Sequence, residues 1–158
     1  MAHALSITDG TTTFSLSTTN SYLQQYVPVE PQPGEQYVSE SVELTFYAAS
    51  ASAMQTAIQG LQRLLDGIRR RQQWGVGPVV YLNFQPDGDA TTWRSEMVDA
   101  RLEYGEDTLS VYPQAKMPAT LLLQREPYWE GALTQIPLTN GSASNNTSGL
   151  TIYNHDDS

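Results

Sequence analysis

The sequence contains no cysteine, which excludes disulfides, thiolate metal sites, iron–sulfur clusters and a cysteine nucleophile. Histidine is almost as scarce, because the two imidazoles are His3 and His155, near opposite ends of the chain. A zinc site or a Ser-His-Asp triad requires imidazoles held in a fixed geometry. We therefore expect no catalytic residues, no metal site and no cofactor.

Basic residues are few: 8 Lys and Arg stand against 17 Asp and Glu, for a net charge of −9, and Lys116 is the single lysine. General nucleic-acid binding needs clustered cations that neutralise phosphates, so this class is disfavoured. No apolar run approaches the length of a membrane span, and the N-terminus lacks the basic and apolar regions of a signal peptide. We expect a soluble chain that does not associate with membranes.

The length of 158 residues predicts one core. Residues 1–138 are expected to form the body, with a long arm at 18–40, and residues 139–158 a Ser/Asn-rich linker and C-terminal extension. Apolar alternation predicts strands and a 3.6-residue period predicts one amphipathic helix over 52–72. The predicted strands are 5–7 and 13–17 as a hairpin, 41–48, 79–85, 95–104, 108–112, 119–125, 133–138 and 150–153. The fold class is mainly β with one α-helix (α+β).

The arm has no sustained period and is interrupted by Pro28, Pro31, Pro33 and Gly34. A connection of this length in a compact domain usually engages something else. Its apolar side chains are too few for a core of their own, so we expect them to be buried on a neighbouring copy. Leu150 and Ile152 lie in a predicted strand that follows a linker and needs a partner: it either returns to the main sheet or pairs with another subunit, and the inter-subunit contact is our hypothesis for both residues. The arm residues concerned are Tyr22, Tyr26, Val27 and Tyr37.

Arg69, Arg70 and Arg71 form the only basic run, at the end of the predicted helix. They either complement the helix dipole in solvent or make salt bridges to an acidic face of a neighbouring copy. Both interpretations remain open, and nucleic-acid binding is a weaker third.

Acidic residues could in principle carry glycoside hydrolysis, as Glu96 with Asp99 or Glu103 with Glu106 and Asp107. Carboxylates on strand edges and turns are far more often simply solvated. Asp87-Gly88-Asp89 is interpreted as a turn, since position twelve of a calcium loop would fall on Val98 and not on a glutamate.

Large aromatic residues offer a second class of function, carbohydrate binding by a β-sandwich. Trp74, Trp93, Tyr128 and Trp129 could serve as stacking platforms for sugar rings. The alternative is that Pro127-Tyr128-Trp129 packs as a corner at the end of the last core strand.

The order of elements resembles that of the tail-tube and distal-tail protein family of long-tailed bacteriophages. The likeness spans residues 5–138 and includes the stretch Ala119-Thr-Leu-Leu-Leu-Gln-Arg-Glu-Pro-Tyr-Trp-Glu-Gly, followed by Ile136-Pro-Leu-Thr-Asn-Gly. These residues are similar to the end of the first domain in phage virion tail proteins.

The resemblance implies an antiparallel β-sandwich or barrel of the phage tail-tube type, flanked by one amphipathic helix. Copies would close into a homo-oligomeric ring, and rings would stack into, or cap, a hollow tube. Its partners would be further copies and other tail proteins, with DNA only as cargo, in a virion tail made in the bacterial cytoplasm. Independently, a net negative charge lets a polyanion pass without adsorbing, because adsorption requires cations along the wall.

Overall fold

A computed structural model describes residues 4–17, 21–22, 26–104 and 116–131. In this part the chain is mainly β, with one helix packed against an antiparallel sheet. The elements are β1 (Ala4–Thr8), β2 (Thr13–Ser15), β3 (Ser21–Tyr22), β4 (Val38–Tyr47), α1 (Ala51–Trp74), β5 (Tyr81–Gln85), β6 (Trp93–Tyr104) and β7 (Lys116–Arg125).

The seven strands form one sheet in the order β2-β1-β5-β6-β7-β4-β3. The rings of Phe14 in β2 and Phe46 in β4 nevertheless lie 6.3 Å apart. Five strand spacings separate these strands, which in a flat sheet would be about 24 Å. The sheet is therefore curled into a half-barrel around its core. This confirms the mainly β, antiparallel part of the expectation, with a half-barrel in place of a closed barrel or two separate sheets.

Strand β6 connects the two halves of the curled sheet. Its first residues pair with β5, from Trp93 to Glu96, and its later residues pair with β7. A register shift between Met97 and Asp99 marks a β-bulge at Val98. Such a bulge bends a strand and increases its twist, which allows one strand to belong to both halves.

Helix α1 covers the inner face of the sheet through side chains spaced three and four residues apart. The Ser50 hydroxyl caps its start by accepting from the Ala53 N–H at 3.2 Å. It ends at Gly75, whose φ of 64° is a left-handed conformation that glycine adopts without strain. Its buried residues are Met54, Ala57, Leu61, Leu64, Leu65 and Ile68. The predicted helix is confirmed, and within the described residues no helix is long and apolar enough to span a membrane.

Strand β4 begins at Val38, earlier than the start predicted at residue 41. The alternation Val38, Glu40, Val42, Leu44 and Phe46 runs unbroken along the buried face. Glu40 interrupts the apolar residues of this run, so the sequence alone does not indicate that the strand starts at Val38. The arm consequently ends at Tyr37 and not at residue 40.

The other predicted strands agree in position but differ at their ends. The hairpin is confirmed, and Asp9 closes its turn by accepting from the backbone N–H of Thr11 and Thr12 at 2.9 and 2.6 Å. Strand β7 extends back through Pro118, which pairs with Thr45 at a level where β6 has ended. The predicted strands 108–112, 133–138 and 150–153 and the linker at 139–158 lie outside the described residues.

Candidate interaction surfaces

An ion pair lies fully buried on the inner face of the sheet, between Glu40 of β4 and Arg125 at the end of β7. The Arg125 Nη2 and Nε atoms lie 2.6 and 2.8 Å from Glu40 Oε1, and the two side chains are 0% and 2% exposed. The register places Arg125 opposite Val38, so the two charges are diagonal neighbours on adjacent strands. Buried charges need such pairing, because an isolated charge would carry the full cost of desolvation.

The described part of the arm, residues 26–37, is attached to its own chain through this ion pair. The Tyr26 hydroxyl donates to Glu40 Oε2, and the Val29 N–H donates to Oε1 at 3.1 Å. Arg125 Nη2 donates to the Val29 carbonyl at 2.9 Å. Burial, followed by the hydrogen bond to Glu40, raises the pKa of Tyr26 well above its ordinary value.

This attachment corrects one sequence expectation. Tyr26 is 8% exposed and belongs to the core, with its ring 5.2 Å from that of Phe84. Its side chain is therefore not available to a neighbouring copy, and the arm is held at this point by its own chain. A tyrosine in a proline-rich stretch gives no sign that its partner is a glutamate on the following strand.

Trp129 closes the cluster from the other side. The Arg125 guanidinium lies over its ring, 4.4 Å from the centroid, and the Phe84 ring is 5.9 Å away. Cation–π contacts of this kind are strongest where they are shielded from water. Trp129 packs as a corner at the end of the last core strand, the alternative to sugar binding for Tyr128 and Trp129. Tyr128 beside it is 52% exposed. We call Tyr26, Glu40, Arg125 and Trp129 the anchor cluster.

The arm turns other apolar side chains outward. Val27, Val29 and Tyr37 are 69%, 48% and 41% exposed, respectively. The backbone of Val29 is fixed by two hydrogen bonds to the anchor cluster while its side chain stays accessible. The chain thus holds this stretch in place and leaves its apolar side chains uncovered.

A groove of about 480 Å³ lies between the arm and the junction of β5 with β6. We call it the arm groove. Its lining is largely apolar and aromatic, and it brings together two tryptophans that are far apart in the sequence. It is lined by Val27, Pro28, Val29, Glu30, Pro31, Phe84, Pro86, Trp93 and Trp129.

The basic run lies at the end of α1, where part of it serves the helix itself. Arg71 Nη1 donates to the Gly77 carbonyl at 3.0 Å, and its Nε is 3.8 Å from Glu96 Oε1. Arg69 Nη2 donates to the Ala100 carbonyl at 3.5 Å. Arg70 is exposed, and no carboxylate of the described residues forms an ion pair with it.

Next to the arginines, Trp74 and Val76 are 73% and 62% exposed. We call Arg69, Arg70, Arg71, Trp74 and Val76 the arginine tip.

The carboxylates considered for hydrolysis do not assemble into a pair of opposed acids. Glu96 faces Arg71 and lies near Glu126 and Glu130, and burial followed by repulsion from Glu126 raises its pKa. Asp99 lines the depression on the outer sheet face, whose lining does not include Glu96. Glu103 pairs with Arg101 at 3.0 Å, while residues 106 and 107 lie outside the described residues. Among the described residues, no three His, Asp or Glu side chains gather as a metal site would require.

The outer face of β4, β7 and β6, opposite the buried face, is polar. Ser39 and Gln124 are bonded across it at 3.1 Å, and a shallow depression of about 380 Å³ runs along it. Among the side chains that the structure describes, the charged residues of this face are three carboxylates and one guanidinium: Glu43, Asp99, Glu103 and Arg101. This face offers a broad, weakly acidic surface with hydroxyl and amide groups.

No family model, no curated protein and no solved structure matches the chain. The surfaces must therefore be interpreted from their own chemistry. Of the residues expected to meet a neighbouring copy, the structure exposes Val27, Tyr37, Arg69 and Arg70, whereas Arg71 is half-buried and Tyr26 is buried. The Tyr22 side chain, Leu150 and Ile152 lie outside the described residues.

Sequence reasoning missed the two central residues, Glu40 and Arg125. A signal for them exists, since each occupies a buried position in an alternating run of apolar residues. Two opposite charges in such positions on two strands predict that the strands are neighbours with a shared ion pair.

Proposed function

We propose that this chain is a structural subunit of a phage or prophage-like tail, without enzymatic activity, that self-assembles into rings. The rings would form or cap a hollow tube for DNA passage. The observation that carries this proposal is the arm, because the chain uses a buried ion pair to hold in place a segment whose own apolar side chains face outward. Val27 and Val29 would then be covered by a neighbouring copy.

Burying Glu40 and Arg125 requires desolvation of two charges, and hydrophobic residues of similar volume would often stabilise a core as well or better. Unlike hydrophobic residues, the ion pair orients the arm, because its donor and acceptor groups hydrogen-bond to the Val29 backbone and fix it in one orientation. A fixed, exposed apolar segment is the feature expected of an interaction surface.

The outer face of the sheet suits the wall of a DNA channel. Among the side chains that the structure describes, its carboxylates outnumber its guanidinium, and its remaining groups are mostly hydroxyls and amides. DNA adsorbs where cations release its counterions, so a weakly acidic wall lets it move freely. The chain's net charge of −9 acts in the same direction.

Within the described residues, the edge of the sheet along β4 is paired over only part of its length. Among the described residues, β3 covers only Phe46 and Thr45 of the ten-residue strand β4 on that side. Backbone groups on an open strand edge are a template for pairing with another chain. A neighbouring copy that pairs there would extend the sheet around a common axis, which is the arrangement of the tail-tube type.

The test is sedimentation velocity over a hundredfold range of concentration, followed by negative-stain imaging of the largest species. We expect rings or tubes with a central channel. The double variant Val27→Asp/Val29→Asp should shift the distribution toward monomer, whereas Gln55→Asp, at an exposed position of α1 outside the arm and the arm groove, should not. A wild-type protein that stays monomeric throughout would overturn the proposal.

One observation favours a second candidate, carbohydrate binding. The arm groove places Trp93 beside Trp129, and Asp89 Oδ2 accepts from the Trp93 Nε1–H at 3.4 Å. Aromatic rings next to a carboxylate are suited to stacking and hydroxyl recognition. A glycan array in which wild-type protein binds and Trp93→Ala does not would support this candidate, and an array without binding would remove it.

A further inference from the structure

The arginine tip and the arm groove complement one another in polarity and charge. The tip projects two large apolar side chains, Trp74 and Val76, next to the exposed Arg70. The groove is apolar inside and acidic at its border, where Glu30 is exposed and Asp89 is bonded to Trp93. Tryptophan and arginine are the residues that most often dominate binding energy at protein interfaces.

Charge on the two surfaces has opposite sign. Glu130 also lies by the groove and pairs with Arg94 at 3.2 Å, so Glu30 is the exposed carboxylate of the groove lining that forms no ion pair within the described residues. On the tip, Arg71 is engaged by Glu96, so Arg70 is the guanidinium with the greatest freedom to reach another chain. Complementary charges of this kind steer association and fix its register.

Within one copy the two surfaces lie at different ends of strand β5. The tip precedes β5 in the chain, whereas the groove is built where β5 ends, at Phe84 and Pro86. Strand β5 has five residues, Tyr81–Gln85, which separates its two ends by about 13 Å. Two different, complementary surfaces on one molecule give a head-to-tail contact between copies, which closes into a ring or continues as a filament.

We propose that the arginine tip of one copy binds the arm groove of the next copy, with Trp74 and Val76 in the groove and Arg70 beside Glu30. This deepens the proposed function and rests on it, because it names the contact by which subunits of the tail join. With about 800 Å² buried on each partner, the contact would belong to the standard size class of stable interfaces.

Cysteine crosslinking tests this contact directly, because the chain has no cysteine of its own. Val76→Cys and Val29→Cys are prepared as single variants, mixed, and oxidised with copper phenanthroline. The expected product is the disulfide between positions 76 and 29, identified by mass spectrometry of linked peptides. The matched control mixes Val76→Cys with Ser39→Cys, an exposed position on the outer face. Crosslinking of 76 to 39 at an equal yield, or of 76 to 76 as the main product, would overturn the proposal.

A charge exchange provides the second measurement. Arg70→Glu and Glu30→Arg should each weaken assembly by about tenfold, and the double variant should regain most of the loss. Trp74→Ser should weaken it by about thirtyfold. If wild-type protein assembles and these variants assemble equally well, the contact is wrong while the tail function stands. If wild-type protein is monomeric, the tail function itself fails.

Discussion

Arg125 and Glu40 are joined by a hydrogen bond from Nε to Oε1 at 2.8 Å and by an ion-pair contact of 2.6 Å from Nη2 to the same oxygen, with essentially no solvent contact. Each belongs to a different strand, and both hold the backbone of a third segment, at Val29. The pair therefore joins the sheet and the arm into one unit.

Replacing Arg125 with methionine should destabilise the fold strongly. The change leaves the Glu40 carboxylate buried without its counter-charge, which costs about 3–5 kcal/mol in the free energy of unfolding. Urea denaturation measures this loss. The matched control is Arg101→Met, which breaks an ion pair whose side chains are 61% and 52% exposed and should cost at most about 1 kcal/mol. Equal losses for the two variants would show that burial of the ion pair contributes nothing.

Tyr26→Phe should release the arm while keeping the aromatic contact with Phe84. The variant removes one hydrogen bond to Glu40 and leaves a buried carboxylate oxygen less satisfied, at a cost of about 1–3 kcal/mol. A glutamate-specific protease should then cleave after the exposed Glu30 or Glu35 roughly tenfold faster than in wild-type protein. Tyr37→Phe, at an exposed position of the arm, serves as the control and should leave the cleavage rate unchanged.

Two glycines of the helix region should respond to alanine with opposite sign. Gly75→Ala places a side chain at a φ of 64° and should destabilise by about 1 kcal/mol. Gly60→Ala lies inside α1, where the new Cβ would meet Phe14 at 4.0 Å, an ordinary contact. It should stabilise by about 0.5–1 kcal/mol. Thermal denaturation of both variants checks the prediction, which is wrong if the two shifts have the same sign.

The pH dependence of stability should reveal Glu96. Burial first, then repulsion from Glu126, raises its pKa, so the folded state disfavours the charged form. Its stabilising contribution is complete below the ordinary value of 4.5 and is lost as pH rises through the raised value. Glu96→Gln should therefore be more stable than wild-type protein at pH 7 and equal to it near pH 4. Glu43→Gln, exposed on the outer face, controls for the removal of any one negative charge; if it matches Glu96→Gln at both pH values, burial of Glu96 is not the cause.

The helix and the hairpin were predictable because each is specified by a local sequence pattern. The helix follows from the spacing of Met54, Leu61, Leu65 and Ile68, and the hairpin follows from Asp9-Gly10 between alternating runs. The sheet order was not predictable, because the contact of Phe14 with Phe46 depends on curl and on long-range pairing.

The candidate surfaces were predictable only in part. The exposure of Val27 and Tyr37 agrees with the expected arm, but the burial of Tyr26 depends on Glu40 and Arg125, which no local pattern connects. The arm groove likewise arises from Phe84, Trp93 and Trp129, which only the fold brings together.

The pairing of β4 with β7 has a consequence for synthesis. Strand β4 leaves the ribosome well before β7, since the helix and two further strands are made between them. Until then, Val42, Leu44 and Phe46 lack the neighbouring strand that completes their face of the sheet, and unpaired apolar strands of this kind are prone to aggregate. Arg125 is the last residue of β7, so the nascent chain can complete this half of the sheet and neutralise Glu40 only in the same late step. A translation product that stops before Arg125 should therefore be a substrate for chaperones and proteases.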